Sequence, residues 1–152
     1  MILIDSNALV LLIVGLIDPS QIRKHRRTSL YTEKDFQKLL AIIQNPNKLI
    51  VLPNIWTEVD NLLNNYLTGS FKWPYVKILR EVVAETTERY LSSTFGINSD
   101  YFLSLGLTDS LIIEFRENFD FLITADSKLS DLARAHDIEV YDLVQERNKD
   151  FK

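Results

Sequence analysis

A short polar segment near the start of the chain contains the first residues that could do chemistry. The apolar run 2–4 predicts a buried strand, and Asp5, Ser6 and Asn7 follow it at once. Apolar residues then resume at Ala8. Three consecutive polar side chains between two apolar runs are costly to bury unless something pairs with them. The segment therefore indicates a site at the end of a strand.

A second predicted strand is also followed closely by an Asp. The run 121–124 is apolar up to Thr124, and Asp126 follows two residues later. Asp126 could serve only as the N-cap of the next helix. In a parallel sheet, however, the carboxyl ends of the strands share one edge, and open α/β sheets bind ligands there. We therefore expect Asp5 and Asp126 to face the same crevice.

Glu58 and Asp109 complete a set of four carboxylates. Glu58 lies early in a predicted helix, capped by Asn54, whose first turns begin at the same sheet edge. Asp109 follows Thr108, a predicted N-cap, and shares a helix face with aliphatic residues three and four positions later. An inward-facing carboxylate near a helix start could join the crevice.

Four carboxylates at one edge point to a bound cation. Like charges held close together resist joint ionisation, and a divalent ion relieves this repulsion. Ligand sets made only of oxygen suit Mg²⁺ or Mn²⁺. One or two such ions can activate a water and stabilise the charge that develops at a phosphodiester. The set therefore predicts a metal-dependent hydrolytic site.

The elements that must position these residues alternate between strands and helices. Strands are predicted at 2–4, 49–52, 121–124 and 138–141, and helical periodicity fills the intervals. The strands are continuous apolar runs, which is typical of a parallel sheet covered on both faces. The predicted fold is one α/β, Rossmann-like domain over 1–152, with a mostly parallel sheet of about four or five strands flanked by helices. The region 69–107 carries no acidic motif, and a helix is predicted at 75–91.

Composition limits the kinds of site that the chain can build. Its 152 residues are 46% hydrophobic and 25% charged, as in one globular domain. The absence of Cys excludes disulfides and thiolate chemistry, and two His are too few for an imidazole metal cluster. The apolar stretch 8–17 is shorter than the about 20 residues of a membrane span, and no basic segment precedes it as in a signal peptide. We expect no membrane association and a cytoplasmic location.

Positive charge is concentrated in one segment. The net charge of −4 argues against a general nucleic-acid binder but leaves room for a local basic patch. Arg23, Lys24, Arg26 and Arg27 form such a patch. They could bind the phosphates of a substrate, and an ordinary solvated loop is an equally good interpretation.

The ordered motifs resemble those of the PIN-domain ribonucleases over about residues 1–143. The family pattern is matched by Asp5 with Asn7 at the end of the first strand, Glu58 early in a helix, Asp109 opening another, and Thr124 with Asp126 at a strand end. The resemblance implies a PIN-like, Rossmann-like fold and metal-dependent endoribonuclease activity.

The resemblance, together with the electrostatic argument, also implies roles and partners. Asp5, Asp109 and Asp126 would ligate Mg²⁺ or Mn²⁺ directly or through water, and Glu58 would be a ligand or would orient the attacking water. The supporting hydrogen-bonding residues would be Asn7, Thr124 and Ser6. Many compact members of the family are toxins of bacterial toxin–antitoxin pairs. The implied partners are an RNA substrate, a small antitoxin protein and a second copy of the chain.

Two other functions fit part of the pattern. A haloacid-dehalogenase-type phosphatase also begins with Asp at the end of the first strand, but it needs a second Asp where this chain has Asn7. A catalytically silent module that binds RNA or protein would have no use for four neighbouring carboxylates. The nuclease is therefore the preferred prediction.

Overall fold

The computed structural model describes residues 1–151. Its strands are β1 (Ile2–Ile4), β2 (Leu49–Val51), β3 (Thr87–Glu88), β4 (Phe121–Thr124) and β5 (Glu139–Asp142). All of them pair in parallel within one sheet, in the spatial order β3-β2-β1-β4-β5. This confirms the predicted α/β fold with a parallel sheet flanked by helices.

Eight α-helices connect and cover the strands within residues 1–151. They are α1 (Ser6–Ile17), α2 (Glu33–Ile43), α3 (Pro53–Leu63), α4 (Lys72–Glu85), α5 (Ser93–Ile97), α6 (Phe102–Glu114), α7 (Ser127–Ala135) and α8 (Leu143–Lys149). Short 3₁₀ turns follow α1, precede β2, and follow α3 and α6. Because every strand runs in the same direction, the chain leaves each strand at the same edge of the sheet.

The strand β1 lies at the centre of the sheet. It pairs with β2 on one side and with β4 on the other, so that Leu3 aligns with both Ile50 and Leu122. Leu3 and Ile4 are fully buried. The pairing extends past the strand, since the N–H of Asp5 donates to the carbonyl of Ile123 at 2.9 Å. The polar residues after β1 therefore begin at the middle of the carboxyl edge.

The helix α1 is buried on nearly all sides. Nine of its twelve residues are buried, which explains why its sequence is apolar without a polar face. The Asp5 carboxylate caps its first turn by accepting a hydrogen bond from the N–H of Ser6. No helix within residues 1–151 has both the length and the apolar character that crossing a bilayer requires.

Two local predictions were wrong. The helix predicted at 75–91 ends at Glu85, because the β-branched Thr86 and Thr87 favour extended backbone. Thr87 begins the short edge strand β3 instead. The N-cap position of α3 is Leu52, not Asn54, and no side chain caps this helix. Pro53 occupies the first helical position, where a missing N–H costs nothing.

The close contact between α1 and α2 gives a stability prediction. A Cβ added at Gly15 would overlap the ring of Phe36, which is buried. We expect G15A to lower the free energy of unfolding by about 1–3 kcal/mol through overpacking, less the smaller gain in helix propensity. G69A is the matched control, because its nearest neighbour would lie at 3.9 Å. Urea unfolding of both variants measures the difference, and equal stability would contradict the packing described here.

Candidate functional site

One open pocket at the carboxyl edge of the sheet brings the four predicted carboxylates together. Its volume is about 360 Å³. The lining residues are Asp5, Ser6, Asn7, Glu58, Leu105, Gly106, Leu107, Thr108, Asp109 and Asp126. The carboxylates arrive from the ends of β1 and β4 and from α3 and α6. No Lys, Arg or His lines this pocket.

Asp5 is the most deeply buried of the four carboxylates, with only 3% of its surface exposed. One of its oxygens, Oδ1, accepts from the N–H of Ser6 at 2.7 Å, and Oδ2 accepts from the Thr124 hydroxyl at 2.9 Å. Burial raises the pKa of Asp5 to about 6, although both hydrogen bonds oppose the rise. The negative charges of Glu58 and Asp126 raise it further.

Thr124 connects two of the carboxylates through one hydroxyl group. Its Oγ1 donates to Asp5 and accepts from the N–H of Asp126 at 3.1 Å. The side chain of Thr124 is completely buried, so water does not compete for these bonds. Asp126 also caps α7, since its Oδ1 accepts from the N–H of Leu129 at 2.9 Å. The positions of Asp5 and Asp126 relative to each other are thus fixed by hydrogen bonds within the protein.

Thr108 has a role that the sequence did not reveal. We predicted it as an N-cap, but its hydroxyl donates to Oε2 of Glu58 at 3.0 Å. This bond joins α6 to α3 across the pocket. The other oxygen of Glu58, Oε1, accepts no hydrogen bond from the described residues. Only the position of Thr108 directly before Asp109 could have drawn attention to it.

A kink in α6 places Asp109 in the pocket. Gly106 has φ 79° and ψ −179°, a conformation that is essentially restricted to glycine, and helical backbone resumes after it. Asp109 therefore lies in the first turn of a new helical segment. Its burial raises its pKa to about 8, and the charges of Asp5, Asp126 and Glu58 add to this effect.

The donor chemistry of the pocket fits a divalent cation. Four carboxylates without a basic neighbour supply the oxygen ligands that Mg²⁺ or Mn²⁺ prefers. Burial raises the pKa values of Asp5 and Asp109, and the neighbouring carboxylates raise them further. Within residues 1–151, however, no three Asp, Glu or His side chains already form a metal-binding group. The pocket thus gathers suitable donors without preassembling them around one point.

No family model, curated protein or solved structure matches the chain. The chemistry of the pocket residues is therefore the basis on which a function can be inferred.

The remaining predicted site residues lie in two places. Asn7 is exposed and lines the pocket, and the Ser6 hydroxyl is 3.4 Å from Oδ1 of Asp5. The basic segment 23–27 does not line this pocket. It follows α1, which begins at the carboxyl edge and runs away from it for about 18 Å. The predicted phosphate contacts of Arg23, Lys24, Arg26 and Arg27 therefore concern a different surface from the acidic pocket.

The raised pKa of Asp109 predicts how stability depends on pH. Between the ordinary value of 3.8 and about 8, the folded state binds a proton that the unfolded state has released, so stability falls as pH rises. D109N removes the ionisable group. In EDTA we expect it to match the wild type near pH 4 and to have a higher Tm near pH 8, by ~2 °C or more.

Thermal melts of wild type, D109N and D120N across this pH range measure the effect. The matched control, Asp120, is an exposed carboxylate that pairs with the chain's amino terminus. A D109N curve that follows the wild type at every pH would show that the pocket does not hold Asp109 under electrostatic strain.

Proposed function

We propose that this protein is a divalent-metal-dependent endoribonuclease that hydrolyses RNA phosphodiester bonds. The observation that carries the proposal is the meeting of Asp5, Glu58, Asp109 and Asp126 in one open pocket without a basic residue. A purely structural role does not account for it, because burial and mutual repulsion both disfavour ionised carboxylates there. Sites of this composition are suited to holding a cation against a phosphate.

Each residue at the acidic pocket would have a role that follows from its surroundings. Asp5, Asp109 and Asp126 would hold Mg²⁺ or Mn²⁺, which supplies a more acidic water and stabilises negative charge on the phosphoryl group. Thr124 keeps Asp5 and Asp126 in place through its two hydrogen bonds. The Thr108 bond to Oε2 leaves Oε1 of Glu58 free to orient a water or to act as a further ligand. Asn7, exposed at the rim, would hydrogen-bond to the substrate or to a bound water.

The resemblance to PIN-domain ribonucleases supports the choice of RNA as substrate. The residues that carry the resemblance are Asp5, Asn7, Glu58, Asp109, Thr124 and Asp126, and five of these six line the same pocket, with Thr124 bonded to two of the others. By the same resemblance the protein would be the toxin of a toxin–antitoxin pair. Its partners would then be a small antitoxin and a second copy of the chain. Growth arrest on expression, relieved by a protein encoded next to it, tests that part of the proposal.

Cleavage of RNA tests the proposed activity directly. We expect the purified protein to cleave single-stranded or structured RNA with Mg²⁺ or Mn²⁺ and to stop in EDTA. D5N and D109N should reduce the rate by about a thousandfold or more, since each removes a charge needed to hold the cation. Gel analysis of end-labelled RNA measures the rate, and circular dichroism shows whether each variant folds.

The controls separate loss of the site from loss of the fold. D120N should cleave like the wild type, because Asp120 is an exposed residue outside the pocket. Addition of Mn²⁺ should raise the Tm of the wild type more than that of D109N, since ligand binding stabilises the folded state. Folded D5N and D109N proteins that cleave at the wild-type rate would rule out the proposed site.

The contact between Thr108 and Glu58 makes a separate prediction. T108V keeps the shape of the side chain but removes the hydroxyl that holds Oε2 of Glu58. We expect kcat to fall by about tenfold to a hundredfold, with KM for RNA nearly unchanged, as for other residues that orient a ligand. T108S restores the hydroxyl and should recover most of the rate. A T108S rate as low as that of T108V would contradict a role through hydrogen bonding.

A second candidate is a catalytically silent module that binds RNA or a protein partner. The observation that favours it is the absence, within residues 1–151, of a preassembled group of three metal-binding side chains. Isothermal titration with Mn²⁺ distinguishes the two candidates. Saturable binding in the micromolar to low-millimolar range supports the nuclease, and no measurable binding supports the silent module.

A further inference from the structure

A second polar pocket lies at the end of the molecule away from the acidic residues. The helices α1 and α3 both begin at the carboxyl edge of the sheet, and the segments that follow them, 18–27 and 64–68, meet at their far ends. The pocket between these segments has a volume of about 270 Å³. Its lining residues are Gln21, Lys24, His25, Arg26, Leu62, Asn64, Asn65 and Tyr66.

The charged groups of this pocket are all positive. Lys24 and Arg26 are both exposed, and neither forms a salt bridge within residues 1–151. No Asp or Glu lines the pocket. Asp18 lies close enough for its charge to interact with Lys24 and Tyr66, but it does not line the pocket. Its carboxylate accepts a hydrogen bond from the N–H of Ser20. The pocket is therefore suited to an anion.

The neutral Asn65 side chain in this pocket is arranged to donate hydrogen bonds. Nδ1 of His25 accepts from the N–H of Arg27 at 3.1 Å, so the imidazole proton is on Nε2. Nε2 therefore donates to Oδ1 of Asn65 at 2.9 Å. With its oxygen engaged, Asn65 presents its NH₂ group, which is a donor only. The buried His25 ring thus engages the Asn65 oxygen and leaves the Asn65 NH₂ group as the free end of the amide.

A buried hydroxyl group in the lining has no partner. The Tyr66 side chain is 4% exposed, and its OH makes no hydrogen bond within residues 1–151. Its ring packs on His25 at a centroid distance of 5.1 Å and on Tyr75 at 5.8 Å. An unpaired buried hydroxyl is costly, and native proteins rarely leave one without a ligand or a water. Because the hydroxyl oxygen has less than 1 Å² of accessible surface, an anion in the pocket would reach it only if the lining side chains shift.

We propose that this second pocket, lined by Lys24, Arg26, Asn65 and Tyr66, binds a phosphoryl group. Lys and Arg with neutral N–H and O–H donors are the usual partners of phosphate oxygens. The volume lies near the lower end for small-molecule sites, which suits one phosphate with part of its substituent. The phosphate is that of a nucleotide or of a nucleic-acid backbone. The site is independent of the acidic pocket and of the reaction proposed for it.

Titration of isotope-labelled protein in EDTA tests the site without involving the metal pocket. The probes are inorganic phosphate, a nucleoside monophosphate and a short oligoribonucleotide, at the same salt concentration. We expect saturable shifts of the backbone amides at 24–26 and 64–66 and of the Asn65 side-chain NH₂. Tighter binding of the oligoribonucleotide assigns the site to a nucleic-acid backbone, and tighter binding of the monophosphate assigns it to a free nucleotide.

Two double variants separate a built site from general attraction. K24Q/R26Q removes the two charges in the lining, and R23Q/R27Q removes two charges from the same segment outside it. We expect the first to weaken binding by about tenfold or more and the second by only about twofold. Y66F keeps the ring packing and should weaken binding by about fivefold. Equal losses in both double variants, or no saturable shift with any probe, would overturn the proposal.

Discussion

The burial of the Asp5 carboxylate at the end of the central strand is the constraint on which the rest of the site depends. Asp5 continues the pairing of β1 with β4 through its backbone, and it caps α1 through its side chain. It therefore cannot move without disturbing both the sheet and the most buried helix. The Thr124 hydroxyl links it to Asp126, so the acidic pocket is built on the end of the central strand. Glu58 and Asp109 approach this centre from the helices α3 and α6.

The acidic pocket keeps four carboxylates close together although burial and mutual repulsion disfavour their ionised forms. Burial and like charges raise the pKa values of Asp5 to about 6 and of Asp109 to about 8, which means that their ionised forms are disfavoured in the folded chain. The hydrogen bonds from Ser6 and Thr124 offset only part of this cost for Asp5. A cation would remove the repulsion and draw the donors together.

Much of the fold could be predicted because it depends on strong local patterns. Buried parallel strands are short continuous apolar runs, so β1, β2 and β4 were identified, each within one residue at either end. The edge strand β5 was also predicted within one residue, although its Glu139 is exposed. The edge strand β3 has two residues and little apolar character. The helix predicted at 75–91 therefore extended over it.

The site was partly predictable for a related reason. Asp5 and Asp126 follow strands, and the parallel topology alone brings strand ends together. The bond between Thr108 and Glu58 joins residues that are 50 positions apart, and no sequence pattern encodes it. The kink at Gly106 was also missed, because one glycine within an apolar run does not reveal its backbone angles.

The all-parallel sheet also gives the molecule two chemically different ends. The acidic pocket lies at one end and the basic segment 23–27 at the other, so the local electric fields at the two ends have opposite signs although the net charge is −4. Such a field orients charged molecules before they make contact. A polyanion would meet the basic end first and would be repelled by the acidic end. Under the proposed function, loading a divalent cation would weaken this repulsion, so that metal occupancy would govern which end of the protein a nucleic acid can approach.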